Sequence, residues 1–149
     1  MKKRTLTRMI RWVALALALV LFSIPMTSVT AIEPRASYYI DSYQASVYVA
    51  GSGRIQVWFD ITGVDYMDEL GALYIYIYES KDNVNWTYVK TFSHVDNSNM
   101  LLENDIYHMD HVTYQGVAGR YYKAYVCIWA GKDGGGDSRY LWTSVKKAT

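Results

Sequence analysis

Residues 72–79, ALYIYIYE, alternate without interruption: Leu73, Ile75 and Ile77 occupy one set of positions, Tyr74, Tyr76 and Tyr78 the other. Successive side chains of an extended strand point to opposite faces, so this period of two marks a β-strand with one aliphatic and one aromatic side. The same pattern recurs upstream, where Ile55, Val57, Phe59 and Ile61 alternate with Arg54, Gln56, Trp58 and Asp60. Gly51-Ser52-Gly53 is a turn before that strand, and residues 45–50 (ASVYVA) are its expected hairpin partner. Residues 63–71 (GVDYMDELG) separate the two alternating runs and are too acidic and too short for a core helix. They are expected to form a loop with at most one helical turn.

The remainder of the chain reads the same way. Residues 80–85 (SKDNVN) form a polar turn and residues 86–92 (WTYVKTF) resume extended chain. Residues 93–105 lack a pattern and accommodate loop or a short helix around 100–103. Strands are expected at 106–114, at 120–130 (RYYKAYVCIWA) and at 139–145, with turns at 116–119 (GVAG) and 131–137 (GKDGGGD). Seven or eight strands without any helical period predict an all-β fold, an antiparallel two-sheet sandwich spanning residues 38–149. In residues 119–128, Tyr122, Ala124, Val126 and Ile128 share a face directly after a glycine-rich corner. That arrangement resembles the tyrosine corner of immunoglobulin-like and fibronectin type III domains, with Tyr122 as the structural tyrosine. The paired cysteines of antibody domains are missing, which favours the fibronectin-like version.

The first 31 residues differ from everything that follows. Lys2, Lys3, Arg4, Arg8 and Arg11 precede a 13-residue apolar run from Trp12 to Ile24. Pro25 ends the run, and Val29 and Ala31 supply small residues at the −3 and −1 positions. This is the pattern of a helical signal peptide cleaved after about Ala31, followed by a lead-in at 32–37. A spanning helix needs about 20 apolar residues, so the alternative of an uncleaved N-terminal anchor is the weaker one. No cysteine follows the leader for lipidation. The mature chain is expected to be secreted, free of the membrane.

Removing the leader changes the charge. The full chain carries 15 Lys and Arg against 14 Asp and Glu, and the leader takes five of the bases and none of the acids, leaving a net of −4. A mildly acidic domain without a basic cluster is a poor ligand for nucleic acid or for an anionic membrane surface. Cys127 is the sole cysteine, so an intramolecular disulfide is impossible, and its place in an apolar strand suits a small buried hydrophobe. Asn85-Trp86-Thr87 matches a glycosylation sequon, but the short Lys-rich leader has a bacterial character and Asn85 reads as a turn residue.

The segments PRASYYIDSY, YMDELGALYIYIYES, NVNWTYVKTF and AGRYYKAYVCIWAGKDGG resemble a family of small exported proteins of Gram-positive bacteria that is defined only as a domain of unknown function. The resemblance covers nearly all of the mature chain and implies export and a β-sandwich. It brings no catalytic residue or cofactor with it.

Candidate chemistry is sparse. His108, Asp110 and His111 are close in sequence, but in a strand the two histidines face opposite sides, and only His108 and Asp110 share one. A metal-assisted hydrolase would need His94 to join His108 and Asp110. Asp133 and Asp137 flank three glycines, and Asp65, Asp68 and Glu69 form a second acidic segment; both read as solvated loops rather than calcium or acid–base sites. There is no nucleophile elbow, zinc-protease motif or phosphate-binding loop, and neither metal nor cofactor is expected. The aromatic distribution says more. Tyr74, Tyr76 and Tyr78 project from one strand, and Tyr121, Tyr125 and Trp129 from the strand expected beside it, so the six should form one patch. Exposed aromatic clusters mark interaction surfaces and suit sugar rings as well as proteins. The leading expectation is a secreted non-catalytic module that binds a cell-envelope or host glycan, or a protein, through this face. A small secreted effector (toxin, bacteriocin-like factor or inhibitor) is the alternative, with the metal-assisted hydrolase third.

Overall fold

The structure is a computed structural model that describes residues 37–149. The leader (1–31) and its cleavage site lie outside the described residues. Seven strands follow in order: β1 (Ile40–Gly51), β2 (Arg54–Ser80), β3 (Thr87–Ser93), β4 (Leu101–Gln115), β5 (Tyr121–Lys132), β6 (Gly135–Trp142) and β7 (Lys146–Lys147). The described residues contain no α-helix; one 3-10 turn, Ser98–Met100, precedes β4. No helix among them is long and apolar enough to cross a membrane. Every pairing is antiparallel.

All seven strands belong to one sheet, and β2 holds it together. A straight strand of 27 residues would run about 90 Å at roughly 3.3 Å per residue. That is several times the ~13 Å radius of gyration of a 100-residue domain, so β2 has to bend. The pairing with β4 slips between Thr62 and Met67, and the pairing with β5 slips between Ala72 and Tyr74. Before the bend, β2 lies between β1 and the second half of β4. After it, β2 lies between β5 on one side and β3 with the start of β4 on the other. β6 extends the second arm beyond β5.

The alternation read from the sequence determines which way each arm faces. Ile55, Val57, Phe59 and Ile61 are buried from the first arm, and Ile75 and Ile77 from the second. Tyr122, Ala124, Val126, Ile128 and Ala130 of β5 join them, with Val47 of β1. Each large aliphatic or aromatic side chain among these contributes roughly 1.5–3 kcal/mol relative to exposure. The arms meet where the ring of Tyr114 in β4 packs against Tyr122 in β5, centroids 6.0 Å apart. Tyr122 is fully buried. Its hydroxyl accepts the Val117 N–H at 2.8 Å and donates to Glu79 Oε2 at 2.5 Å, while Arg120 closes an ion pair to the other Glu79 oxygen. Burial, reinforced by the bond to Glu79, pushes the Tyr122 phenol up to about 12. It therefore stays protonated and keeps its role as donor.

One expectation needs correction. Residues 63–71 are not a loop with a helical turn: they are strand, and the two alternating runs are one continuous β2. Met67 and Leu70 are buried in this stretch, and pairing with β4 and β5 overrides its acidic composition. The strands form one antiparallel sheet that curls on itself. The hairpin expected between 45–50 and the next strand is present and longer, with Ser52 and Gly53 both at positive φ in its turn. A second two-residue turn, Asp133-Gly134, also at positive φ, joins β5 to β6, the backbone signature of a type I′ hairpin.

Gly71 sits where the chain leaves the bend. A Cβ there would lie 2.1 Å from the Met100 carbonyl oxygen and 2.9 Å from His108 Nδ1. Gly71→Ala is expected to cost about 1–3 kcal/mol through this overpacking, read as a lower denaturation midpoint. Tyr122→Phe removes one hydroxyl and strands the Val117 N–H and a Glu79 oxygen together. It is expected to lose about 1–3 kcal/mol in the same assay, and an unchanged midpoint would show that the hydroxyl network is not holding the arms.

Candidate binding face

On the second arm, β3, β2, β5 and β6 run side by side, and register decides which side chains stand together on its outer surface. Tyr76 is paired with Thr91 on one side and Tyr125 on the other, and Tyr125 in turn with Trp142. Tyr78 is paired with Tyr88 and Lys123, and Tyr74 with Ser93 and Cys127, which is followed by Tyr140. Paired residues share a face, so period two along each strand becomes an aromatic surface across four.

The rings touch in sequence. Tyr88 meets Tyr78 edge-on at 6.0 Å, Tyr78 meets Trp142 at 5.1 Å, and Trp142 meets Tyr125 at 4.8 Å. Tyr125 stacks on Tyr140 at 5.7 Å and Tyr74 on Tyr76 at 6.1 Å. The Lys123 ammonium lies 4.4 Å from the ring centre of Trp86 and 4.5 Å from that of Trp142. A cation over a ring face is attracted by the ring quadrupole, by roughly 0.5–1 kcal/mol at exposed sites. Tyr76, Tyr78 and Tyr125 are half-buried by their neighbours, whereas Tyr88, Tyr140 and Trp142 are 52%, 57% and 51% exposed. Burial, with smaller contributions from the adjoining tyrosines, raises the Tyr76 phenol above its ordinary value. The surface is thus made of neutral hydroxyls, ring faces and one ammonium, and no carboxylate occupies the outward positions of these rows.

Of the six residues singled out from sequence, Tyr74, Tyr76, Tyr78 and Tyr125 lie together. Tyr121 lies at the margin, where Lys147 covers its ring at 5.2 Å. Trp129 keeps the same face of β5 but lies past Cys127 toward the far end: its Nε1–H donates to Glu69 Oε2 at 2.9 Å and its ring fills the space over Gly131 and Gly136. Sequence reasoning missed Trp86, Tyr88, Lys123, Tyr140 and Trp142. Tyr140 and Trp142 carry the signal that finds them, an i, i+2 aromatic pair in the last long strand.

The other candidate groups are dispersed. His108 is buried, its Nδ1 3.1 Å from the Leu70 carbonyl oxygen and its ring edge-on to Phe59. His94 lies against Tyr74, and His111 stacks on Trp58. Asp110 accepts from Asn99 Nδ2 at 2.8 Å and from the His111 N–H at 2.6 Å. Among the described residues, no three His, Cys, Asp or Glu side chains are grouped to hold a metal. The two acidic segments meet at one end of the sheet. Asp65 pairs with Lys132 at 2.7 Å and Asp68 accepts the Asp133 N–H at 2.7 Å, so the bend of β2 is pinned to the β5–β6 hairpin. The hydrogen bond from Lys132 holds the Asp65 carboxyl below its ordinary range.

No family model and no curated protein matches this sequence. Among solved structures, the chain is similar to a family 76 glycoside hydrolase from a bovine Bacteroides thetaiotaomicron strain, at 14% identity and a TM-score of 0.34. The match covers 71% of this chain and 20% of that one, so the chain spans about a fifth of that protein's length. A likeness at this level carries no argument about activity.

Cys127 stands on the outer rows but is 2% exposed. Burial pushes its thiol up, against a smaller opposing contribution from a hydrogen bond with Tyr140. The thiolate is the reactive form, so the folded protein is expected to resist iodoacetamide at neutral pH and to label at once in denaturant. Rapid labelling of the native protein would mean that Tyr140 does not stay over the thiol.

Proposed function

We propose that this chain is a secreted, non-catalytic binding module that engages a cell-envelope or host glycan, or a protein, through the outer aromatic face of its second arm. The observation that carries the reading is the row Tyr88–Tyr78–Trp142–Tyr125–Tyr140, in ring contact across four strands and half open to solvent at its margins. A sheet face that served only to cover the core needs no such row, because the core lies on the other side. Rigid rings with polar tips give contact area at little entropic cost. Lys123, held between two indoles, adds a fixed positive group to an otherwise neutral surface. The leader pattern in residues 1–31 supports export.

We also read the two arms as an immunoglobulin- or fibronectin type III-like sandwich. The supporting feature is Tyr122, whose hydroxyl returns to the backbone five positions upstream at Val117.

The test compares the purified full chain with a Tyr76→Ala/Tyr125→Ala variant on a glycan array and in pull-downs from bacterial envelope and host-surface extracts. The double variant is expected to lose at least about tenfold in affinity, some 1.4 kcal/mol, for whatever the wild type retains. Equal retention by both proteins would remove the face from consideration. Growth inhibition of neighbouring bacteria by the wild type, without capture of any ligand, would favour the effector reading.

A further inference from the structure

The first arm carries a different outward surface. Across β1, β2 and β4 its rows are Gln44–Asp60–Met109, Ser46–Trp58–His111 and Tyr48–Gln56–Thr113. His111 stacks on one face of the Trp58 indole, centroids 4.3 Å apart and planes within 16°. On the β1 side, Trp58 is paired with Ser46, a small residue, and a groove of about 420 Å³ runs along the indole over Ala45 and Ser46. That volume falls within the ~300–1,000 Å³ of small-molecule sites. Tyr48 stands edge-on to Trp58 at one end, 6.4 Å between centroids. At the other end the Gln44 amide donates to Asp60 Oδ2. The Trp58 Nε1–H donates to Gln56 Oε1 at 3.3 Å, which holds the indole upright.

The geometry points to a site for a single neutral pyranose ring, independent of the aromatic face on the other arm. A pyranose has a flat C–H surface and a rim of hydroxyls. The groove offers the matching halves: an indole backed by His111, and amide and carboxylate groups at its rim. A carboxylate offers about four acceptor positions and an amide both donors and acceptors, so the Gln44–Asp60 bond leaves capacity for sugar hydroxyls. Ser46 opposite Trp58 provides the depth, since a larger side chain there would fill the groove. A purely apolar ligand would cover the unused hydrogen-bonding positions of Asp60 and the two amides, which costs about 1–3 kcal/mol for each position left unsatisfied. A quaternary ammonium is the competing chemistry, because two rings and a carboxylate line the groove. It would leave both glutamines without a role.

Saturation-transfer NMR of the full chain with methyl β-glucopyranoside, methyl β-galactopyranoside and N-acetylglucosamine tests the site. At least one is expected to bind, with affinity falling about tenfold or more in both Trp58→Ala and Gln44→Ala. Gln44 is exposed, so its variant retains the fold and reports on the rim even where loss of the indole unsettles the sheet. Binding that is lost in Tyr76→Ala/Tyr125→Ala but kept in Trp58→Ala would place the saccharide on the aromatic face of the other arm and not in this groove. The inference is overturned if none of the three saccharides binds, if binding survives Trp58→Ala, or if tetramethylammonium binds in their place and is lost in Asp60→Asn.

Discussion

β2 is too long to remain straight and too well paired to be cut, and the architecture follows from that conflict. Its two halves carry the same alternation, so each presents an aliphatic side and a polar or aromatic side. Bending at residues 63–71 turns the aliphatic sides toward each other, and the core closes between two lengths of one strand. The Tyr122 hydroxyl, shared between Val117 and Glu79, ties the strand's far end to the turn beside its beginning. At the opposite end, Asp65 and Asp68 tie the bend to the β5–β6 hairpin. Polar contacts therefore sit at both ends of the curl, with apolar packing between them.

Each outward surface inherits its character from the same register. Where β2 is paired with β5 and β3, tyrosine meets tyrosine and tryptophan, and an extended aromatic row results. Where it is paired with β1 and β4, Trp58 meets serine on one side and histidine on the other, and a groove forms in place of a row. The difference lies in the size of the residue opposite each ring. One strand thus carries two unlike surfaces, on the outer sides of arms whose inner sides share one core.

The alternating runs were legible from sequence because they depend only on local geometry: Ile55 to Ile61 and Leu73 to Tyr78 could hardly be anything but strand. So was the pairing of the Tyr76 strand with the Tyr125 strand. The continuity of β2 was not legible. Asp65, Asp68 and Glu69 look like loop residues until Lys132, the Asp133 N–H and Trp129 arrive from sixty or more positions away to satisfy them. Trp129 keeps its expected face, but its bond to Glu69 was not legible, since periodicity gives a side chain its face and not its partner. Trp58 was visible as the one large aromatic among the outward positions Arg54, Gln56 and Asp60. Its meaning depends on Ser46 and His111, which only the pairing of β1 and β4 supplies.

The pairing of β2 also governs how this chain can fold. Arg54 is matched with Gln115, and Ser80 with Tyr121. Until those later residues exist, β2 has only β1 and β3 as hairpin partners, and isolated hairpins are marginal in water. Contacts so distant in sequence close slowly, because loop entropy is lost before any burial offsets it. The nascent chain therefore remains open until β4 and β5 have emerged. An open chain is also the form that can be threaded through a narrow pore.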